Sequence, residues 1–187
     1  MPPDKGKAIV FEDRMGLLTR LKRLVWDGIW LMGARWTPSF CFGWRNLLLR
    51  FSGAKVGKGV HVYSSVKIWA PWNLEMGNNS SLGPGVICYS VDKIVIGDNA
   101  TVSQYAHLCA ATHDIEDSGF GLVTKPIHIG ANAWVAADAF IAPGVKIGEG
   151  AVVGARSAVF REVKPWTVVG GNPAKFLKAR KLKKLKA

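Results

Sequence analysis

His113 has more chemistry to offer than any other side chain in this sequence. An imidazole titrates near neutrality, so it can take a proton from a hydroxyl and return it. Three carboxylates follow within four residues, Asp114, Glu116 and Asp117. One of them can orient the ring and fix its tautomer, and a backbone carbonyl can do the same. Asp114 is carried forward with His113 as the catalytic candidate, although its position directly after the histidine lets its side chain point elsewhere. His61, His107 and His128 have no comparable placement and read as structural or surface groups. Cys41, Cys88 and Cys109 are an odd set without paired spacing, which argues for free buried thiols and a reducing, cytoplasmic setting.

The elements that must position His113 are written in a repeat. Ile129, Val135, Ile141, Ile147, Val153 and Val159 recur at a fixed step of six, and glycine follows three of them, at Gly130, Gly148 and Gly154. That step is neither a helix period nor a strand alternation. It is the hexad of a parallel β-solenoid. Earlier hexads run through Val56, Val62 and Ile68, then Met76, Leu82 and Cys88, then Ile96, Val102 and Leu108. Three hexads closing one triangular coil give a repeat of about eighteen residues. On that frame Leu74-Glu75, Ile94-Val95 and residues 114–128 are additions, each after a third hexad. All should leave at one stacked corner, beside His113. The aliphatic at each first position points inward, and glycine at the second is expected to ease the bend. The fifth position is small, as at Ala100, Ala106, Ala133, Ala139, Ala151 and Ser157, but Trp72 and Asp92 break that rule.

A chain of 187 residues with 49% hydrophobic content suits one domain with peripheral additions. The polar residues 1–13 do not resemble a secretory signal. Leu17, Leu18, Leu21, Leu24, Val25, Ile29 and Trp30 have helical spacing, with Arg14, Arg20, Lys22, Arg23 and Arg35 around them. Asp27, Arg35 and Pro38 interrupt this run before the roughly 20 residues that a spanning helix needs. Two readings stand, and they are compatible: an amphipathic cap on the solenoid's open end, and a helix in contact with a membrane interface. The formal net charge of +12 gathers at the ends, partly in Lys175, Lys178, Arg180, Lys181, Lys183, Lys184 and Lys186. It favours acidic partners, but no nucleic-acid-binding signature accompanies it.

The hexads, the Thr112-His113-Asp114 loop start and the closing Val169-Gly170-Gly171-Asn172-Pro173-Ala174-Lys175 resemble the hexapeptide acyltransferases. Within that family, Pro71-Trp72-Asn73-Leu74-Glu75, Asp92-Lys93-Ile94-Val95-Ile96-Gly97 and Ala133-Trp134-Val135-Ala136-Ala137 are similar to the colanic-acid-type acetyltransferases of exopolysaccharide gene clusters. The resemblance covers residues from about 45 to 180. It implies an all-β, left-handed parallel β-helix, although general crossover chirality would give the opposite hand. The organisation expected is an N-terminal helical cap (1–50), a solenoid (51–170) with an inserted loop (114–128), and a C-terminal basic helix or tail (171–187).

The same resemblance implies acetyl-CoA as cosubstrate, without a metal, and a homotrimer with its sites between subunits. His113 would be the general base. Trp134 would line the channel for the pantetheine arm, and the backbone amides of Ala137 and Ala155 would contact cofactor or oxyanion. Lys175 and Lys178 would grip the CoA phosphates, with Arg180 beyond the matched motif. Tyr89, Lys93 and Gln104 are candidates for the acceptor pocket on position alone. The favoured acceptor is a sugar hydroxyl, as in a lipid-linked saccharide, handled in the cytoplasm with peripheral contact at the inner membrane face. Another small acceptor (serine, an amino sugar or an antibiotic) is the alternative. A γ-carbonic-anhydrase-like zinc enzyme would need three converging histidines, and a non-catalytic scaffold would bind no CoA.

Overall fold

The hexads fold as short strands separated by tight corners, three strands to a coil. The structure, a computed structural model, describes residues 16–182. Residues 1–13, Arg14 and the tail lysines Lys183, Lys184 and Lys186 lie outside the described residues. Two helices come first, α1 (Leu17–Gly33) and α2 (Phe42–Phe51). The first coil holds β1 (Lys55–Val56), β2 (His61–Val62) and β3 (Lys67–Ile68). The second holds β4 (Leu74–Met76), β5 (Ser81–Leu82) and β6 (Ile87–Tyr89). The third holds β7 (Ile94–Ile96), β8 (Thr101–Val102) and β9 (His107–Cys109). A hairpin of β10 (Ala111–His113) and β11 (Leu122–Thr124) then leaves the solenoid. Winding resumes with β12 (Ile127–Ile129), β13 (Trp134–Val135) and β14 (Phe140–Ile141). The next coil holds β15 (Lys146–Ile147), β16 (Val152–Val153) and β17 (Ala158–Val159), and β18 (Thr167–Gly170) and β19 (Lys175–Ala179) follow.

Three parallel sheets make the walls. The first is β1-β4-β7-β12-β15, and the third is β3-β6-β9-β14-β17. The second runs β2-β5-β8-β13-β16-β18, with β19 added antiparallel to β18. The aliphatics at first hexad positions stack inward: Val62, Leu82, Val102, Val135 and Val153 are each 0% exposed. Burying each such side chain contributes roughly 1.5–3 kcal/mol. Cys88 belongs to the same core, and burial pushes its thiol up to about 12.

Register shows where the extra residues go. Lys55 pairs with Glu75 and Glu75 with Val95, steps of 20; Val95 pairs with His128, a step of 33; His128 pairs with Lys146, a step of 18. The surplus always falls between the third and first walls, as expected, but not at the residues expected. Leu74-Glu75 and Ile94-Val95 lie in the wall strands β4 and β7, and His128 lies in β12. The corner itself absorbs the length, through a 3₁₀ turn at Pro71–Asn73 and its counterpart at residues 90–93. Ser90 is fully buried there; its hydroxyl donates to the Ala70 carbonyl (2.9 Å) and accepts from the Ala70 N–H (3.0 Å).

Second-position glycines have a different purpose from the one expected. A Cβ on Gly130 would sit 2.6 Å from the Glu149 nitrogen, and one on Gly97 2.6 Å from the Ala131 nitrogen. They permit close approach of successive coils. The bend is made two residues later, where Asn79, Asn99 and Asn132 take left-handed φ values of 53°, 56° and 57°, a region asparagine tolerates.

The helices close the first coil by donating hydrogen bonds to its edge carbonyls on all three walls. On the third wall, Trp26 Nε1 donates to Ile68 O (2.7 Å) and Trp30 Nε1 to Val66 O (3.1 Å). On the second, Arg45 Nε donates to Val62 O (2.6 Å) and Asn46 Nδ2 to Val60 O (2.8 Å). On the first, Arg50 donates to Val56 O (3.0 Å) and Gly57 O (2.8 Å). Arg45 is 0% exposed, and its remaining donors reach Thr37 Oγ1, Pro38 O and Ser39 O. Burial lowers its pKa, yet a guanidinium whose three nitrogens all donate hydrogen bonds keeps its charge. No described helix is long and apolar enough to cross a membrane. At the other end the basic segment, expected as a helix or tail, forms strand β19, which pairs with the outer edge of β18.

Coil-to-coil contact at Gly130 leaves no room for a methyl group, so Gly130→Ala is expected to destabilise the protein by about 1–3 kcal/mol. Gly43→Ala, where a Cβ meets nothing within 4 Å, is expected to be neutral or slightly stabilising. Thermal unfolding of the two variants checks both.

Candidate active site

The hairpin places His113 at the corner between the third and first walls. Its strands pair Ala111 with Thr124, Thr112 with Val123 and His113 with Leu122. The tip is tied by Asp114 N–H to Gly121 O (2.9 Å), Phe120 N–H to Asp117 O (2.9 Å) and Gly119 N–H to Asp117 Oδ1 (2.9 Å). Phe120 takes a left-handed φ of 47°, and its carbonyl lies 2.8 Å from His113 Nδ1. A carbonyl only accepts, so Nδ1 carries the hydrogen and Nε2 keeps its lone pair. The Phe120 ring stacks on the imidazole, with centroids 4.5 Å apart and planes at 13°. The His113 side chain is exposed.

Asp114, expected to orient the ring, is turned into its own loop, where Oδ1 accepts from Glu116 N–H (3.0 Å). The ring's partner is the Phe120 carbonyl. Sequence reasoning allowed a backbone carbonyl as the ring's partner but did not say which one, because every residue type carries that group.

The other candidates fall on different parts of the prism. Trp134 opens β13 on the second wall, 46% exposed, with Nε1 donating to Ser103 Oγ (2.8 Å). Ser103, which fixes the indole, was not foreseen. Gln104, Ala137 and Ala155 form one column at the corner between the second and third walls, linked by Asp138 N–H to Gln104 O (3.1 Å) and Arg156 N–H to Ala137 O (2.9 Å). Among the described residues neither the Ala137 nor the Ala155 N–H donates to another backbone carbonyl. Tyr89 stands on the third wall, edge-on to Trp69 (5.9 Å). Lys93 is committed to an ion pair: its Nζ and that of Lys55 each lie 3.1 Å from Glu75 Oε1, and the two ammonium groups hold that carboxyl below its ordinary pKa. Lys175 and Lys178 are exposed on β19. Arg180 is pinned to the corner between the first and second walls, donating to Asn132 O (2.9 Å) and Gly150 O (2.8 Å) beside the Trp166 ring.

One chain therefore carries two separated sets. His113 stands at one edge of the third wall, and the Ala137–Ala155 column stands at the other. Trp134 lies further round, on the second wall. The full width of the third wall separates the imidazole from the column. The histidines are also dispersed: His61 stacks on Phe42 (4.4 Å), half-buried His107 packs edge-on to Phe140 (5.4 Å), and His128 sits on the first wall. Burial lowers the pKa of His107. Among the described residues no three His, Cys, Asp or Glu side chains converge as metal ligands.

The profile of the bacterial transferase hexapeptide family (six repeats) matches residues 126–161. A relative from Escherichia coli (strain K12), named "Putative colanic acid biosynthesis acetyltransferase WcaF", is 41% identical over 160 residues, which is 86% of this chain and 88% of that one. The chain belongs to the hexapeptide-repeat acyltransferase family. Two solved structures agree. A maltose O-acetyltransferase from Clostridium difficile 630 superposes with a TM-score of 0.80 at 28% identity, covering 89% of this chain and 90% of the other. A galactoside acetyltransferase in complex with coenzyme A does so with a TM-score of 0.80 at 26% identity, covering 89% and 84%. The fold of this acyltransferase is accordingly the left-handed parallel β-helix that the family resemblance implied.

The hairpin geometry predicts that neutral His113 is the Nδ1–H tautomer. Long-range ¹H–¹⁵N correlation spectra should show protonated Nδ1 and bare Nε2; the opposite tautomer would mean that the Phe120 contact is not a hydrogen bond.

Proposed function

We propose that this acyltransferase moves an acetyl group from acetyl-CoA to a sugar hydroxyl, with His113 as general base. The observation that carries the reading is the locked tautomer: Nδ1 is occupied by Phe120 O, so Nε2 is the only ring atom left to accept a proton. Nε2 takes the proton from the acceptor hydroxyl. The freed oxygen attacks the thioester carbonyl, a C–O bond forms, and the C–S bond breaks as the tetrahedral oxyanion collapses. His113 then returns its proton to the departing thiolate, so no acyl-enzyme forms. The N–H groups of Ala137 and Ala155 serve cofactor and oxyanion; one such donor is worth roughly 3 kcal/mol. Trp134 gives the pantetheine arm an apolar wall. Lys175 and Lys178 take the phosphates, while Arg180 spends its hydrogen bonds on the solenoid corner. Asp114 shapes the loop and makes no contact with the ring.

The separation of His113 from Ala137, Ala155 and Trp134 supports a homotrimer, in which the corner of one protomer meets the second wall of the next. The working parts follow the division into cap (1–50), solenoid (51–170) and basic end (171–187). A sugar acceptor is supported by the relatives named for colanic acid, maltose and galactoside chemistry. On this reading the acceptor is a lipid-linked saccharide, and the enzyme works peripherally at the cytoplasmic face of a membrane.

Acetyl transfer from acetyl-CoA to nucleotide sugars and lipid-linked oligosaccharides tests the proposal. His113→Ala should lower kcat by about 10²–10⁴-fold, with CoA binding by calorimetry and assembly by sedimentation unchanged. Asp114→Asn should retain most of the rate. A near-normal rate in His113→Ala would overturn the base assignment.

A further inference from the structure

Helix α1 carries two apolar stripes, and the solenoid uses only one. Trp26 and Trp30 are buried against the third wall. On the outside, Leu17, Leu21, Leu24, Leu31 and Met32 recur at helical spacing and stay 81%, 58%, 69%, 56% and 80% exposed. Trp36 and Phe40 in the linker and Phe51 at the end of α2 are exposed as well, at 81%, 78% and 83%. Twelve of the twenty large hydrophobic side chains exposed among the described residues fall within residues 17–51. That stretch is 35 of the 167 described residues, so the exposure is a concentrated patch, which calls for a partner.

Charge identifies the partner. Arg20, Lys22 and Arg35 are exposed on α1 and the linker, whereas Arg23 turns to Asp27 and the Trp69 ring and Arg50 to the first-wall carbonyls; Asp27 is the only acidic residue in 16–52. Cations interleaved with leucine and tryptophan fit neither nucleic acid, which offers no apolar surface to the leucines, nor a dry protein interface, whose core is depleted in charge. They fit the headgroup boundary of an anionic bilayer, where leucines enter the acyl layer and Arg and Lys meet phosphates. Length sets the pose: α1 has 17 residues and does not qualify to cross a bilayer, so it lies flat. Between α1 and the end of α2, an apolar groove lined by Leu21, Val25, Ile29, Phe51 and Trp72 is open to entering acyl chain.

We infer that the outer face of the α1–α2 cap docks on an anionic membrane surface. This gives a contact face and a lipid charge to the membrane placement proposed above, and its test does not depend on acyl transfer. Full-length protein is sedimented with phosphatidylcholine vesicles, with and without phosphatidylglycerol. Binding should require the anionic lipid and weaken at least ~10-fold in high salt, as screening demands. Leu24→Gln/Leu31→Gln/Met32→Gln and, separately, Lys22→Glu/Arg35→Glu should each lose at least ~10-fold in vesicle affinity. Both should keep wild-type melting temperature, oligomeric state and transfer to a water-soluble acceptor. The second variant touches no apolar side chain, so the test survives if the first fails to fold. Absent binding, equal binding to neutral vesicles, or full binding by both variants would overturn the inference. So would a leucine variant that binds vesicles normally but falls apart as an oligomer, since the stripe would then be a subunit contact.

Discussion

Every coil of this protein hydrogen-bonds to the next along three walls, and that pairing constrains the rest. Successive backbones approach so closely at the corners that a Cβ on Gly97 or Gly130 would collide with the next coil's amide. Extra chain can leave only where the ladder is interrupted, which confines it to one column, from Pro71–Asn73 to the hairpin of His113. The same pairing leaves carbonyls without partners at the first coil. Trp26, Trp30, Arg45, Asn46 and Arg50 supply the missing donors. A helix with only apolar residues on its inner face would have covered the core and stranded those carbonyls, at a cost comparable to lost hydrogen bonds.

How much was legible in the sequence depended on whether a feature is expressed in side chains. The inward column was legible in full, because a six-residue step has no other explanation: Val62, Leu82, Val102, Val135 and Val153 align as expected. The same pattern did not say which residues of a longer coil bulge, since Leu74 and Ile94 are as apolar as any wall residue. The C-terminal segment, expected as a helix or tail, is a strand over Lys175–Ala179 because the unpaired edge of β18 recruits it. The position of His113 at the corner where the insertion leaves the solenoid was legible from the repeat. Of the two kinds of companion allowed for its ring, the carboxylate of Asp114 turns into its own loop, and a main-chain carbonyl, presented by the left-handed turn at Phe120, holds the ring.

On the proposed function, the prism sets a condition on catalysis. Side chains on different walls point away from one another, so an imidazole at one edge of the third wall and an amide column at the other would meet across a boundary between copies. The homotrimer proposed above would repeat that contact three times. The α1–α2 cap sits at the N-terminal end of the solenoid and shares no residue with these edges, so the inferred docking and the proposed chemistry are testable separately.

Catalysis across that boundary is tested directly by subunit mixing. His113→Ala and Trp134→Ala, each inactive or nearly so alone, are co-expressed with different tags and purified as mixed trimers. If His113 and Trp134 serve one site from different protomers, each mixed trimer should hold one intact site, about a third of the wild-type sites, because the productive order of the two chains occurs once round the ring. Activity no higher than the mean of the two separate variants would contradict the account.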